Sequence, residues 1–166
     1  MQEELLSSAF LGSAITVVAT YGLFFIKEII EICSCYFAIM TELKILKDIF
    51  ESTFLNEIEN AKKEGLLLLS YPLETDYFTM YNSNCAKLGK IPFTKQRELI
   101  VGTYTLAKYF LDCLRTNNLG IKYYEDIYNG KIPGTIDDAK LVLKHSFYNN
   151  ILPTTNKLID LFKYIK

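Results

Sequence analysis

The stretch LLSSAFLGSAITVVATYGLFFI, from Leu5 to Ile26, contains 22 consecutive residues without a charge. Glu4 precedes the stretch and Lys27 follows it. An α-helix rises about 1.5 Å per residue, so this run reaches roughly 33 Å, enough for a bilayer hydrocarbon core of about 30 Å. The stretch therefore predicts a transmembrane helix, and we expect residues 1–27 to form a membrane anchor.

Two alternatives are a cleaved signal peptide and a helix buried in a soluble domain. A signal peptide needs Lys or Arg before its apolar run and a small-x-small cleavage site after it. Here the leader is Met-Gln-Glu-Glu and the run is followed by KEIIEI, so the signal peptide is disfavoured. The first lysines, Lys27, Lys44 and Lys47, all follow the run, which predicts an N-terminus outside and a C-terminal domain in the cytoplasm.

Small residues recur every four positions within the stretch and share one face of a helix. They are Ser8, Gly12, Thr16 and Thr20. Stripes of this kind let two helices approach closely, so self-association is one interpretation. The other is that small residues are simply common in apolar helices.

Residues 28–64 continue with apolar positions at helical spacing, and no Pro or Gly occurs between Lys27 and Lys63. The pattern predicts one long amphipathic helix that leaves the membrane. Residues 29–41 are too few for a second span and contain Glu31, so a membrane hairpin is a minor alternative.

Residues 65–166 are expected to form a small cytosolic helical domain. The predicted helices cover Leu73–Leu88 with Gly89 at the C-terminal cap, Thr94 to Asn117-Asn118 and Gly120, Ile121–Tyr128, Thr135–Asn149 after a Thr135/Asp138 capping box, and Thr155–Ile165 after a break at Pro153. No hairpin signature occurs. The predicted fold class is therefore all-α: a transmembrane helix running into a long amphipathic helix, followed by a small helical bundle.

No catalytic, cofactor or metal site is predicted. His145 is the only histidine, and no nucleophile elbow or phosphate loop accompanies it. The four cysteines lack zinc or redox spacing and are interpreted as free thiols packed as small hydrophobes. A net charge of −1 gives no basic field for nucleic acid. The segment KYYEDIY presents a candidate partner surface at Tyr123, Tyr124 and Tyr128.

Between Ile45 and Asp126 the chain resembles small, largely uncharacterised bacterial single-span proteins in which a membrane-exiting helix leads into a cytosolic helical domain. The resemblance rests on Tyr81, Asn84, Leu88, Gly89, Tyr104 and Asn118. It implies an architecture and a place in a bacterial inner membrane, and it supplies no catalytic residues. Some proteins of this layout act in bacterial anti-phage defence, which is an analogy of layout alone.

The sequence thus predicts a non-enzymatic, membrane-anchored interaction or effector protein, with a role in anti-phage defence as one reading. Its expected partners are the lipid bilayer, further copies of the same chain through the span, and an unidentified protein or signalling ligand. The alternative is a structural subunit of a larger complex, whose apolar N-terminal helix is buried by a protein partner rather than by lipid.

Overall fold

One continuous helical rod forms the first part of the molecule. The computed structural model describes the backbone of residues 2–68, 70–71 and 77–165, and within these ranges the side chains from residue 10 onward. Helix α1 (Gln2–Ile49) passes through a π-helical segment (Phe50–Leu55) into α2 (Asn56–Glu64). Gly65 ends the rod with a left-handed φ of 76°, and its N–H donates to the carbonyl of Ala61 at 2.7 Å.

The remaining elements are helical as well. Helix α3 (Thr79–Asn84) continues as a 3₁₀ segment (Cys85–Lys90), and the long α4 follows (Thr94–Tyr128). Helix α5 (Ile136–Ser146) runs through a second π-helical segment (Phe147–Ile151) into α6 (Leu152–Phe162). No strand occurs in the described ranges, and the prediction of an all-α fold is confirmed.

The core lies where the second half of α1 and the π-helical segment after it meet α4 and α6. Its centre is a group of aromatic rings in contact: Phe50 lies 5.3 Å from Phe110 and 5.4 Å from Phe162, between ring centroids. Phe110 also meets Phe54 edge to face at 5.5 Å. Since truncating a buried Phe costs about 3–5 kcal/mol, Phe110→Ala alone would remove a large part of a typical domain's stability.

Helix α4 does not end at Asn117-Asn118 and Gly120, as the sequence predicted, but continues through them to Tyr128. The asparagine side chains are used to hold a neighbouring segment instead of ending the helix. Gly120 lies where α5 crosses closely: a Cβ there would stand 2.9 Å from Cδ2 of Leu143. The helix ends at Asn129-Gly130, where Gly130 has a φ of 69°.

Pro153 does not break the chain. It lies in the first turn of α6, which follows the Phe147–Ile151 segment without interruption. Proline lacks an N–H and its ring clashes with the carbonyl four residues earlier in a regular helix, and the wider π-helical turn before it relieves that contact. The predicted capping box formed in part: Asp138 N–H donates to Thr135 Oγ1 at 3.2 Å, whereas the Asp138 carboxylate accepts from the Thr135 hydroxyl at 2.6 Å.

The helix predicted over Leu73–Leu88 is shorter in the structure. Residues 72–76 lie outside the described ranges, and α3 begins at Thr79. Gly89 lies inside the 3₁₀ segment and its φ is not positive, so it is not a left-handed cap. Its carbonyl accepts a 2.9 Å hydrogen bond from Arg97 Nη1, which fastens this segment to the first turn of α4.

The predicted localisation, a single span of a bacterial inner membrane with the N-terminus outside, is wrong. Across the part of the chain that the structure describes, no helix is long and apolar enough to cross a membrane. The uncharged run of α1, Leu5–Ile26, is followed at once by charged residues. Lys27, Glu28 and Glu31 then follow on the same helix.

Candidate interaction surface

The first half of α1 carries an apolar surface that no other part of the described chain covers. Every residue from Phe10 to Lys27 is exposed, and the exposed fraction reaches 76% at Phe10, 72% at Val18 and 67% at Phe24. We call Phe10–Ile26 the apolar arm. Extended apolar surfaces of this kind mark interaction sites in folded proteins.

The serine and threonine hydroxyls of the arm are already satisfied within its own helix. Ser13 Oγ donates to the carbonyl of Phe10 at 2.8 Å, Thr16 Oγ1 to that of Gly12 at 2.8 Å, and Thr20 Oγ1 to that of Thr16 at 2.8 Å. These side chains therefore bring no unmet donor to a partner, and their face stays available for close apolar packing.

The predicted small-residue stripe is uncovered at the positions whose side chains the structure describes. A Cβ added to Gly12 would meet nothing within 4 Å, and Thr16 and Thr20 are exposed. The side chain of Ser8 lies outside the described residues. The role of the stripe in self-association stays a prediction.

An apolar groove of about 420 Å³ lies at the base of the arm. One wall is α1 from Phe25 to Phe37, and the other is the segment that leads into α4, including Ile91 and Phe93. An ion pair closes its rim, with Lys90 Nζ 3.0 Å from Glu28 Oε1. This bond to Glu28 is the main reason that the pKa of Lys90 is raised. The groove continues the apolar surface of the arm onto the domain.

A polar joint fixes α1 against α3 and α4 beyond the groove. Glu42 Oε1 accepts from the backbone N–H of Met80 at 2.7 Å, and Oε2 accepts from that of Tyr81 at 3.0 Å. Oε2 also accepts the hydroxyl of the fully buried Tyr104 at 2.5 Å. Burial, reinforced by the bond to Glu42, raises the pKa of Tyr104. We interpret this joint as structural, since each group is engaged within the fold.

A lysine packs against the aromatic rings that lie beside this joint. Tyr81 stacks on Tyr104 with ring centroids 4.0 Å apart, and Lys108 Nζ lies 5.3 Å from the ring centroids of Tyr81 and Phe78. Lys108 also donates to Asn82 Oδ1 at 3.1 Å. The ammonium is therefore engaged with rings and an amide of its own chain.

A second fastening holds the segment between the rod and α3. Asn117 Nδ2 donates to the carbonyl of Leu67 at 2.9 Å. Asn118 accepts from the N–H of Tyr71 at 3.2 Å and donates to its carbonyl at 2.7 Å, so one amide pairs with both backbone groups. Sequence reasoning missed this role, although two adjacent amides inside an apolar helical pattern were a signal for it.

The tyrosines predicted as a partner surface do not act as one group. Tyr124 is half-buried and packs against the small cluster of Leu66, Ile121 and Leu143. Tyr128 is 68% exposed and stacks with Tyr124 at a centroid distance of 6.3 Å, while Tyr123 is 39% exposed. Whether a partner binds Tyr123, Tyr124 and Tyr128 stays a prediction.

The remaining candidate groups are dispersed. His145 is exposed, with Asn149 Nδ2 2.9 Å from its Nδ1. Cys35 and Cys113 are buried, and burial raises the pKa of each thiol, which keeps it protonated. Cys33 and Cys85 are exposed, which differs from the packed thiols that the sequence predicted. No group of metal-binding side chains occurs among the described residues.

No protein-family model matches the sequence, and neither a curated protein nor a solved structure is significantly similar to the chain.

Proposed function

We propose that this chain is a non-enzymatic interaction protein and that the apolar arm is its binding element, buried by protein in the working assembly. The observation that carries the proposal is the exposure of every residue from Phe10 to Lys27 on a helix whose other half is built into the core. Removing apolar surface from water is favourable by about 25 cal/mol per Å² of apolar area. Covering the exposed helix therefore favours association.

The way the arm joins the domain supports the same proposal. Ile39 and Leu43 of α1 are fully buried, and Glu42 between them anchors the helix to α3 and α4. The arm is therefore held in one direction before any partner arrives. Preorganisation of this kind reduces the entropy lost on binding.

The interior polar groups support a binding role rather than a catalytic one. The carboxylate of Glu42 and the amides of Asn117 and Asn118 are engaged in joining segments of the fold. The role in anti-phage defence that the layout suggested stays a prediction, without an observation that bears on it.

A photo-crosslinking experiment tests the proposal. Val18, at the middle of the arm, is replaced by a benzophenone amino acid in the full-length chain and irradiated in the cells that express it. We expect a discrete protein adduct, and its absence would overturn the proposal. The matched control places the same amino acid at Glu51, which is exposed beside the buried Phe50, and should give no such adduct.

A further inference from the structure

We propose a small-molecule site that is separate from the binding role of the arm: the apolar groove between α1 and the start of α4 binds a free long-chain carboxylic acid. The groove has a volume of about 420 Å³, with α1 on one wall and Ile91 and Phe93 on the other. Small-molecule sites in proteins enclose about 300–1,000 Å³ and are lined mainly by apolar side chains. The size and the lining of the groove therefore suit the alkyl chain of such an acid.

The apolar groove adjoins a second cavity of more polar character, which we call the polar cavity. Tyr36 of α1 and Gln96 of α4 line both the groove and this cavity, whose volume is about 410 Å³. The polar cavity lies further along the same two helices, and its other lining residues are Met40, Lys95, Leu99 and Tyr164. An elongated molecule could therefore place its apolar end in the groove and its polar end beside an ammonium, an amide and two phenols.

The charges along the two cavities favour an anionic head group in the polar cavity. Lys90, at the arm end of the groove, is paired with Glu28 and is therefore balanced within the fold. Lys95 has no ion pair or hydrogen bond with a described residue, and no acidic side chain among the described residues lines the polar cavity. An unpaired ammonium beside an apolar groove is complementary to a molecule that joins an alkyl chain to a carboxylate.

Two further donors lie at the border between the groove and the polar cavity. The phenol of Tyr36 and the amide of Gln96 form no hydrogen bond with a described residue. A carboxylate has two oxygens that accept several hydrogen bonds, so it can use these donors together with Lys95. An ammonium head group would instead be repelled by Lys95, which makes a carboxylic acid the better match.

Cys33 is a natural reporter for this site, because its exposed thiol lines the apolar groove. The thiol of Cys85 is also exposed but lines neither cavity, so it serves as the internal control. The full-length protein is treated with N-ethylmaleimide in the presence of decanoate below its micellar concentration, and peptide mass spectrometry follows each thiol. At about ten times the Kd of decanoate, Cys33 should react about tenfold more slowly, since only the free protein reacts, while Cys85 is unchanged. An unchanged Cys33, or equal slowing of both thiols, would overturn the proposal.

The head group and the chain length are tested with the same reporter. Replacing the exposed Lys95 with Gln should weaken decanoate binding about fivefold and leave decan-1-ol unaffected, because only the carboxylate pairs with the ammonium. Octanoate should bind roughly tenfold more weakly than decanoate, because it buries two fewer methylene groups. Decanoate binding that is insensitive to Lys95→Gln, or equal binding of decylammonium, would overturn the proposal.

A groove variant locates the alkyl chain. Phe93 is 62% exposed and lines the apolar groove, so Phe93→Asp places a charge there without disturbing the core. It should weaken decanoate and decan-1-ol alike by about tenfold, because the alkyl chain would then lie against a charged group. Tyr128→Asp is the matched control, since Tyr128 is 68% exposed at the other end of α4 and lines neither cavity. Equal binding by the two variants would place the acid outside the groove and overturn the proposal.

Discussion

The hydroxyl of Tyr104 donates a 2.5 Å hydrogen bond to the carboxylate of Glu42, joining α4 to the helix that carries the apolar arm. The same carboxylate accepts two backbone N–H groups from the start of α3. Three separate segments therefore depend on one side chain.

Replacing Glu42 with Gln should lower the free energy of unfolding by about 1–3 kcal/mol, because a neutral amide accepts more weakly and leaves a buried donor poorly paired. Urea unfolding followed by circular dichroism measures the change. Glu51→Gln is the matched control on an exposed position and should stay within about 0.5 kcal/mol of the native protein. Equal effects of the two variants would show that the hydrogen bonds of Glu42 add no measurable stability.

Tyr71 should behave in the opposite way at neutral pH. Its buried hydroxyl has no hydrogen-bond partner among the described residues, so Tyr71→Phe should be neutral or stabilising by up to about 1 kcal/mol. Tyr104→Phe, which removes a bonded hydroxyl, should destabilise by about 1–2 kcal/mol. Thermal or urea unfolding of the two variants at pH near 7 decides the matter, and a clear loss for Tyr71→Phe would contradict the interpretation.

The raised pKa of Tyr71 also predicts a loss of stability at alkaline pH. Burial, with a smaller contribution from the charge of Glu57, raises its pKa to about 12. The ordinary value is about 10, so the folded state holds this proton more tightly than the unfolded state. Its contribution is complete below about pH 10 and is lost as the pH rises towards 12. Unfolding midpoints at about pH 8 and about pH 11 should therefore differ less in Tyr71→Phe than in the native protein.

Two glycines of the same helix should respond differently to alanine. A Cβ at Gly102 meets nothing within 4 Å, so Gly102→Ala should stabilise α4 by about 0.5–1 kcal/mol. A Cβ at Gly120 would stand 2.9 Å from the fully buried Leu143, so Gly120→Ala should destabilise by about 1–3 kcal/mol. Equilibrium unfolding of both variants checks the contrast, and equal stabilisation would mean that α5 can move aside freely.

Asn118→Asp should loosen the segment before α3. A carboxylate can still accept from the N–H of Tyr71, but it cannot donate to the carbonyl and repels that oxygen instead. We expect a loss of about 1–2 kcal/mol together with faster chymotrypsin cleavage near Leu68. Asn156→Asp, an exposed change of the same chemistry, is the control. Unchanged cleavage in Asn118→Asp would show that the Asn118 hydrogen bonds do not hold this segment in place.

Periodicity predicted the all-α fold and the buried face of α4, because apolar residues such as Ile100, Tyr104 and Leu114 recur at helical spacing. Helix ends were predicted well where the cap is local, as at Gly65 and Thr135. They were wrong where a distant segment used the side chain, as at Asn118, or where a π-helical turn accepted Pro153. The apolar arm was found by composition, but its surroundings could not be, because the groove at its base brings together segments about 60 residues apart.

The unbroken course of α1 from the arm into the core gives the molecule a rigid lever. Phe10 lies about 43 Å along the helix from Ile39, which is fixed in the core together with Leu43 and Glu42, and no proline lies between them. A tilt of only 10° at Ile39 would move Phe10 by about 8 Å, so small changes in core packing are magnified at the far end. Conversely, whatever grips the tip sets the orientation of the whole helical domain.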